Sequence, residues 1–411
     1  MKYIIATNTG DTVHAAQLAA RPDLHVLFVT EPRFISQYPV GTDIALVDDL
    51  NDPAAAARAV ARQRPLGKYS HVVALSERAA PTAGCLRSLL ALPGPSFDTI
   101  VNCTDKYAMK RRFRDAGLPT ARFAMAGSAE QLVDAAEEVG YPVIVKPVVG
   151  AGVDATVVIQ SAQEMGSSHI DDFLKRLSAP ATTSQKSFPV LVEEYFDVIE
   201  EYHCDGYLVD GQVEYVQVSR YLRPVLAYSS GTFGSYLLDP AHPDAKAVRE
   251  MHAQAVRSVG LRDGVTHFEV LRTSRGLFAG EIAGRPGGGG IRRMLQLDAG
   301  FDSWAAHIAC SLGEPYQFDP LTQGPGEGQV MQVMLPSRRG VVEKISAAAD
   351  FSGVPGFIEA DLRLAVGDTV DGLMDSSSVS GYVFARLTEA QGPREIVTSV
   401  ENVFHLEVAP V

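Results

Sequence analysis

The first 95 residues alternate short apolar runs with segments of helical periodicity. Apolar runs at 3–6, 25–29, 44–47 and 71–74 predict strands, and residues 54–64 and 79–90 predict helices. Strands that alternate with helices form parallel sheets that the helices cover. The pattern therefore predicts an N-terminal βα domain over residues 1–95.

The rest of the chain mixes strands, hairpins and helices in three further segments. Over 96–188 we predict a helix at 104–114 capped by Thr104, strands at 123–125, 142–146 and 155–159, helices at 129–139 and 162–177, and a polar loop at 178–187. Over 189–318 we predict a strand at 189–195, hairpins at 201–219 and 265–284, a long loop at 219–240, and helices at 244–259, 291–297 and 302–312. Over 319–411 a Gly/Pro-rich linker precedes short strands and a helix at 395–404, which predicts a β-rich cap.

Length and composition limit the class of protein. A chain of 411 residues with 46% hydrophobic and 21% charged residues is typical of a globular protein of two to four domains. Its net charge of −13 argues against nucleic acid or an anionic membrane as the main partner. The four cysteines have no metal-binding spacing, and we find neither a membrane-spanning run nor a signal peptide. We therefore expect a cytoplasmic protein with reduced thiols.

The hairpin at 265–284 carries the clearest chemical signal. A three-residue loop at 274–276 places Glu269 opposite Glu281, with His267 and Arg285 on the same face. Two facing carboxylates repel and weaken a hairpin, whereas a Mg²⁺ site requires such a pair of oxygen ligands. The alternative is a surface hairpin with solvated charges and a flexible glycine link. In either case a bulge could shift the pairing by one residue.

Two glycine-rich segments predict contacts with anions. The run Gly287-Gly288-Gly289-Gly290 after Arg285 exposes backbone N–H groups, as an anion cradle requires, although it is also what a flexible link would contain. Lys146 ends an apolar strand and is followed by the glycine turn at 149–152. A phosphate clamp explains this lysine, and so does a side chain that reaches the surface. The segment does not match the Walker pattern.

The order of these parts resembles the ATP-grasp ligases, and most of all the L-amino-acid (dipeptide) ligases. The resemblance rests on the βα domain and, in chain order, on Asp105-Lys106, Val145-Lys146-Pro147 with its glycine turn, Glu193-Glu194-Tyr195, Glu201, Glu269 and Glu281-x-x-x-Arg285. It covers nearly the whole chain, including the cap. Each motif is short, but their order and spacing are specific.

The resemblance implies a fold and a set of site residues. The fold is a multidomain α/β and α+β arrangement: a Rossmann-like domain at 1–95, a small ATP-grasp lobe with linker at 96–188, a large lobe at 189–318 and a β-rich cap at 319–411. The implied nucleotide contacts are Lys106 and Lys146 with Gly152 for the phosphates, Glu193, Glu194 and Phe196 for adenine, and Glu201 for ribose. Glu269 and Glu281 would bind Mg²⁺ or Mn²⁺, and Arg285 would stabilise acyl transfer. His267, Gly287, Gly288 and Gly289 are candidate substrate contacts.

The chain departs from the family pattern at two positions. Ala283 stands where many members have an asparagine that also binds metal, so the number of magnesium ions, one or two, stays open. The glycine loop lacks the usual serine and contains Asp154, which we expect to point away from phosphate.

The implied reaction is ATP-dependent joining of a small carboxylate, such as an amino acid or small peptide, to an amine. An acyl phosphate would form first, and ADP and phosphate would be released. The alternatives are a nucleotide-binding scaffold without turnover and an ATP-grasp enzyme with a non-amine nucleophile. A nucleotide-dependent oxidoreductase is disfavoured, because the turn at 7–10 lacks the GxGxxG fingerprint. Dimers are common in the family that the chain resembles, so the resemblance implies a homodimer as one expectation. No interface is evident in the sequence.

Overall fold

The structure is a computed structural model that describes residues 1–150, 156–178, 188–227, 231–318, 328–370, 379–387 and 391–410. The predicted polar loop at 178–187 and the Gly/Pro-rich linker lie almost entirely outside the described residues. No helix in the described ranges is long and apolar enough to cross a membrane.

The N-terminal segment forms a parallel sheet with strand order β3-β2-β1-β4. Its elements are β1 (Lys2–Thr7), α1 (Thr12–Ala19), β2 (Leu24–Thr30), β3 (Ile44–Leu46), α2 (Pro53–Gln63), β4 (Tyr69–Ala74) and α3 (Ala80–Leu90). The alternation of apolar strands with amphipathic helices produces this layer, because each helix buries its apolar face on the sheet. The predicted βα domain is confirmed.

The second segment contains a four-stranded antiparallel sheet with strand order β5-β8-β6-β7. Its elements are α4 (Phe97–Thr104), α5 (Lys106–Asp115), β5 (Phe123–Ala126), α6 (Ala129–Val139), β6 (Val143–Pro147), β7 (Val157–Ile159), α7 (Ser168–Ser178) and β8 (Val190–Glu194). The predicted cap residue was wrong by one position. Asp105, not Thr104, caps α5 by accepting a hydrogen bond from the backbone N–H of Ala108 at 2.9 Å.

An eight-stranded sheet, ordered β13-β12-β9-β10-β11-β14-β18-β16, forms the largest layer. Its N-terminal part contains β9 (Glu200–Val209), β10 (Gln212–Tyr221), β11 (Phe233–Leu237), α8 (Pro243–Val259), β12 (Gly264–Thr273), β13 (Gly276–Ala283), α9 (Ile291–Ala299) and α10 (Ser303–Ser311). The predicted loop at 219–240 contains strand β11, which pairs with β10.

The C-terminal segment shares this sheet. It contains β14 (Val330–Leu335), β15 (Gly340–Ile345), β16 (Phe357–Leu362), β17 (Thr369–Val370), β18 (Gly381–Arg386), α11 (Pro393–Val403) and β19 (Leu406–Ala409). Strands β14, β18 and β16 extend the eight-stranded sheet, and β17-β15-β19 form a small sheet of their own. The β-rich character of the cap is confirmed, but its strands continue the sheet of the large lobe.

Helices α5 and α8 pack on one face of the large sheet. Phe113 of α5 and Val256 of α8 belong to the same buried cluster as Tyr202, Cys204 and Phe268 from β9 and β12. The rings of Phe113 and Phe268 meet edge to face, with centroids 6.2 Å apart. Because the core occupies this face, the alternating polar residues of the same strands are directed to the opposite face.

We expect the exchange Phe268→Ala to destabilise the large lobe by about 3–5 kcal/mol. The Phe268 side chain is fully buried, so its removal leaves a cavity in the core. Urea denaturation followed by near-ultraviolet circular dichroism measures the change. Val213→Ala, at an exposed position of β10, is the matched control and should change stability by no more than about 0.5 kcal/mol. An equal effect of both variants would contradict this assignment of the core.

Candidate active site

Polar side chains gather on one face of the large sheet. On β9, Glu201, His203 and Asp205 alternate with the core residues Tyr202 and Cys204, so the three polar residues share the face away from the core. All five side chains are buried. Buried polar groups require partners, and this face therefore demands compensating charge or ligand.

The neighbouring hairpin adds its own polar residues to that face. Glu269 of β12 pairs with His203, and His267 pairs with Asp205, so both lie beside the β9 residues. Glu281 on β13 completes the group from the edge strand.

The predicted pairing of the hairpin is correct only at its far end. It is found at His267–Ala283 and Phe268–Ile282, but a bulge shifts the register by one residue from Val270–Ala279 to the loop. Glu269 lies at this bulge, so its predicted direct pairing with Glu281 is not found. The loop therefore has two residues, Ser274 and Arg275, and the predicted three-residue loop was wrong. At the bulge, a Cβ on Gly280 would lie 3.0 Å from the Glu269 carbonyl oxygen, so the close approach of the strands requires glycine here.

Lysines from helix α5 and from strand β6 reach the acids of the site. Lys106 Nζ lies 3.5 Å from Glu281 Oε2 and also donates to the carbonyl of Gly150. Lys146 Nζ lies 2.7 Å from Glu193 Oε2. The two predicted phosphate lysines are thus held beside carboxylates, with their ammonium groups on the site.

Lys110 is a third buried lysine, which the sequence analysis missed. Its Nζ lies 2.8 Å from Glu193 Oε1 and donates to the Ala279 carbonyl at 3.0 Å. One side chain of α5 thereby links strand β8 to the bulged part of the β12–β13 hairpin. Lys110 follows Lys106 by four residues, so both point to the same side of the helix, and this spacing was the available signal.

The charges of this cluster shift its pKa values in opposite directions. Burial would raise the pKa of Glu193, but the charges of Lys110 and Lys146 outweigh burial and lower it to about 2. Burial lowers the pKa of Lys110. The pKa of Lys146 is raised, because Glu193 and Glu281 outweigh the effect of burial. Glu193 is therefore a buried carboxylate shared by two lysines.

Two neighbouring acids of the site behave differently. Burial and the charge of Glu269 raise the pKa of Glu201 to about 8, although Glu201 Oε2 accepts a hydrogen bond from the Val225 N–H at 2.8 Å. Burial would also raise the pKa of Glu281, but Lys106 and Lys146 lower it. Negative charge is thus in excess around Glu201 and Glu269.

Arg285 contacts an acid of the N-terminal domain. Its Nε donates to Glu77 Oε2 at 2.8 Å, and its Nη2 binds the same oxygen. Burial lowers the pKa of Arg285, and Glu77, Glu281 and Glu269 raise it overall. Glu77 follows strand β4, and the ends of parallel strands are where such domains present side chains to ligands. Glu77 was not predicted from the sequence, because no local pattern marks it.

The predicted adenine strand is joined to the hairpin loop through Arg275. Glu194 accepts hydrogen bonds from Arg122 at 3.2 Å and from Arg275 at 2.8 Å. The Arg275 guanidinium also lies 4.8 Å from the ring centroid of Phe196, and that ring meets Phe278 at 4.5 Å. The predicted nucleotide residue Gly152 lies outside the described residues.

A buried cluster of two histidines and an aspartate lies beside Glu269. Asp205 Oδ2 accepts a hydrogen bond from His203 Nδ1 at 2.7 Å, and Oδ1 accepts one from His267 Nδ1 at 2.9 Å. Within the described ranges, these three residues are the group of His, Cys, Asp or Glu side chains close enough to hold a metal ion. His203 and Asp205 were missed, although their alternation with Glu201 was visible.

The glycine run lies over this cluster. A Cβ on Gly287 would lie 2.8 Å from His267 Nδ1 and 3.0 Å from Asp205 Oδ1, so a larger residue would displace them. Gly288 is exposed, and Gly289 adopts a φ of +65°, which favours glycine. The run ends at Gly290, where helix α9 begins. Its backbone can therefore approach a ligand, as the predicted anion cradle requires.

Comparison with known proteins agrees with this arrangement. Residues 139–293 match the family model of the ATP-grasp domain. An L-arginine-specific L-amino acid ligase of Bacillus subtilis is 29% identical over 387 residues, which are 94% of this chain and 92% of the relative. The crystal structure of an L-amino acid ligase from Bacillus licheniformis aligns with a TM-score of 0.75 and 16% identity, over 100% of this chain and 99% of that chain.

A second solved structure has the same fold with a bound nucleotide. An N5-carboxyaminoimidazole synthase from Aspergillus clavatus, in complex with ADP and an aminoimidazole ribonucleotide, aligns with a TM-score of 0.65 and 15% identity, over 98% of each chain. Residues 139–293 are therefore an ATP-grasp domain, and the chain as a whole has the fold of these solved structures. Over nearly its whole length the chain is similar to the two L-amino acid ligases.

The excess negative charge at Glu201 gives a pH-dependent prediction. The folded protein retains a proton on Glu201 up to about pH 8, whereas the unfolded chain loses it near pH 4.5. Raising the pH between these values therefore lowers the stability of the ligand-free protein, and Glu201→Gln should remove this loss. Differential scanning calorimetry should show the variant gaining stability over the wild type, by about 1 kcal/mol or more, between pH 5 and pH 8.

Glu214→Gln is the control for the loss of a glutamate, because Glu214 is exposed on β10. Its melting temperature relative to the wild type should not change over the same range. A constant difference between the Glu201 variant and the wild type from pH 5 to pH 8 would contradict the raised pKa of Glu201 in the folded protein.

Proposed function

We propose that the protein activates the carboxylate of one amino acid as an acyl phosphate and transfers the acyl group to the amine of a second amino acid or small peptide. The observation that carries the proposal is the convergence of Lys106, Lys146 and Arg285 on the acidic hairpin formed by Glu269 and Glu281. Such an arrangement neutralises a transferring phosphoryl group. The two L-amino acid ligases that the chain resembles support the choice of substrates.

The donor set fits a divalent cation. Glu269 and Glu281 offer hard carboxylate oxygens of the kind that Mg²⁺ prefers, and Mn²⁺ accepts the same ligands. Burial and the negative charge of Glu269 raise the pKa of Glu201, and a cation beside these two acids would reduce the effect of the charge. When bound, the ion would supply charge neutralisation for the phosphates of ATP. It would also favour the ionised form of Glu201, which is the form that accepts hydrogen bonds from ribose hydroxyls.

The proposed reaction has two steps. A carboxylate oxygen attacks the γ-phosphorus of ATP, the bond to the bridging oxygen of ADP breaks, and an acyl phosphate forms. Lys106 and Lys146 would hold the phosphates, and Lys146 would exchange part of its contact with Glu193 for a phosphate oxygen. The uncharged amine then attacks the acyl carbon, and phosphate leaves as the amine nitrogen gives up a proton.

Arg285 and the glycine run would act in the second step. The tetrahedral intermediate places negative charge on the former carbonyl oxygen, and preorganised N–H donors stabilise such an oxyanion. Arg285 supplies guanidinium donors, and residues 287–289 supply backbone N–H groups. Because Glu77 already holds the guanidinium, its position is fixed before substrate binds.

Phosphate release from ATP, measured with pairs of amino acids, tests the function. We expect turnover only when a carboxylate and an amine substrate are both present, with product amide and ADP formed in equal amounts. L-arginine belongs in the screen because the Bacillus subtilis relative is named for it. Removal of divalent ions with a chelator should stop turnover, and Mg²⁺ or Mn²⁺ should restore it.

The other outcomes identify other functions. ATP binding without turnover under all amino-acid mixtures would indicate a nucleotide-binding scaffold and would overturn the proposal. Phosphate release that depends on a carboxylate but yields no amide would indicate a different nucleophile. Mass spectrometry of the products separates these cases.

The exchange Arg285→Lys tests the ligation step itself. A lysine keeps the positive charge but cannot present the paired planar donors of a guanidinium. We expect amide formation to fall by about a hundredfold or more, the scale of removing an oxyanion donor, while ATP affinity changes little. Product amide by mass spectrometry and ATP affinity by calorimetry are measured on the same preparation.

Arg293→Lys is the matched control. Arg293 on α9 also forms a paired contact with a carboxylate, Glu359, at 2.6 and 2.7 Å, but this contact lies on the surface. Its replacement should leave ligation within about twofold of the wild type. Near-normal ligation by the Arg285 variant would show that this residue supplies charge alone or does not act in the transfer.

A further inference from the structure

We propose that Asp205 is a positioning residue, which fixes the Glu269 carboxylate and the glycine run relative to each other through the ring of His267. The inference rests on the proposed role of Glu269 as a metal ligand. Asp205 is not part of that proposed ligand set, and its carboxylate is 1% exposed between the two histidines of the cluster. We refer to His203, Asp205 and His267 as the Asp205 cluster.

The first link runs from Asp205 to the metal hairpin. Asp205 and His267 are direct partners on adjacent antiparallel strands, so their side chains meet without any change of backbone. Asp205 is ionised and can only accept, so the Nδ1 of His267 donates to it at 2.9 Å. This hydrogen bond fixes the plane of the ring and directs the opposite nitrogen, Nε2, outward from Asp205.

The outward nitrogen faces Glu269. His267 Nε2 lies 3.6 Å from Glu269 Oε1, and the Tyr221 hydroxyl lies 3.5 Å from each of these two atoms. The Glu269 carboxylate, which would bind the metal, is therefore contacted by the His267 ring, and Asp205 sets the orientation of that ring. Side chains that orient a metal ligand in this way commonly change metal affinity by about 10–100-fold when they are lost.

The second link runs from the same cluster to the glycine run. Gly287 packs directly on His267 Nδ1 and Asp205 Oδ1, and a Cβ at this position would be only 2.8 and 3.0 Å from them. The hydrogen-bonded pair therefore forms the surface on which the run rests. One buried carboxylate thus fixes both the proposed metal ligand and the backbone that would meet the acyl group.

The Asp205 cluster has a rival interpretation as a metal centre of its own. Both Asp205 oxygens already lie at hydrogen-bond distance, 2.7 and 2.9 Å, from the Nδ1 atoms of His203 and His267, where a metal ion bound by these atoms would have to lie. A metal ion between them would have to replace both hydrogen bonds and both protons. The hydrogen-bonded arrangement accounts for these contacts without an ion, so we assign the cluster to positioning.

The test is the affinity of the full-length protein for Mn²⁺ in the presence of ADP, measured from free Mn²⁺ by electron paramagnetic resonance. Asp205→Asn keeps the shape of the side chain but adds an N–H group toward one imidazole. His267→Asn keeps an N–H donor for Asp205 and removes the part of the ring, including Nε2, that faces Glu269. We expect both variants to raise the dissociation constant for Mn²⁺ by about tenfold or more.

Thr266→Val is the matched control on the same strand. The Thr266 hydroxyl lies 2.8 Å from His252 Nε2 and is fully buried, but it points to the opposite face of the sheet. Its loss should lower the melting temperature, as the loss of any buried hydrogen bond does, and leave the Mn²⁺ dissociation constant within about twofold of the wild type.

Each outcome separates positioning from stability and from the proposed function. Wild-type Mn²⁺ affinity in His267→Asn, or in a folded Asp205→Asn, would overturn the inference and leave the cluster a structural element. Absence of Mn²⁺ binding by the wild-type protein would overturn the proposed metal site, and this inference with it. A stoichiometric transition metal in the purified wild type that disappears in Asp205→Asn would overturn it in favour of a metal centre.

Discussion

The site depends on the compensation of buried carboxylates on one face of the large sheet by cations that other elements bring to it. Glu193 is balanced by Lys110 and Lys146, and Glu281 by Lys106. Asp205 is balanced by two imidazoles instead. At Glu201, burial and the charge of Glu269 raise the pKa to about 8. Because an uncompensated buried charge is costly, the lobes are held in the arrangement that pairs these groups.

The same compensation prepares the site for an anionic nucleotide and a cation. Lys146 is shared between Glu193 and the open side of the cluster, so phosphate can replace a carboxylate contact without creating an isolated ammonium group. A divalent cation at Glu269 and Glu281 would add positive charge near Glu201. In the proposed function, ligand binding would then exchange internal ion pairs for ligand contacts. Such an exchange would allow a chain of net charge −13 to hold ATP.

Residues remote in sequence connect these parts into one unit. Lys110 on α5 joins strand β8 to the bulge of the hairpin, and Glu77 after β4 holds Arg285. The partner of neither residue can be predicted from the local sequence around it. The bulged hairpin has such a remote contact too, since Ala279 donates its N–H to the Pro119 carbonyl at 2.7 Å.

The sequence by itself determined the fold class, the N-terminal parallel sheet, the acidic hairpin and the order of the ATP-grasp motifs, because apolar periodicity and motif spacing are local properties. Only the tertiary structure decided the extension of the large sheet into the C-terminal segment, the one-residue shift in the hairpin, and the partners of Lys146 and Arg285. Pairing of that kind depends on which side chains meet across elements up to 208 positions apart, as Glu77 and Arg285 do. Contacts between residues so far apart in the sequence are set by tertiary packing, which no short stretch of sequence encodes.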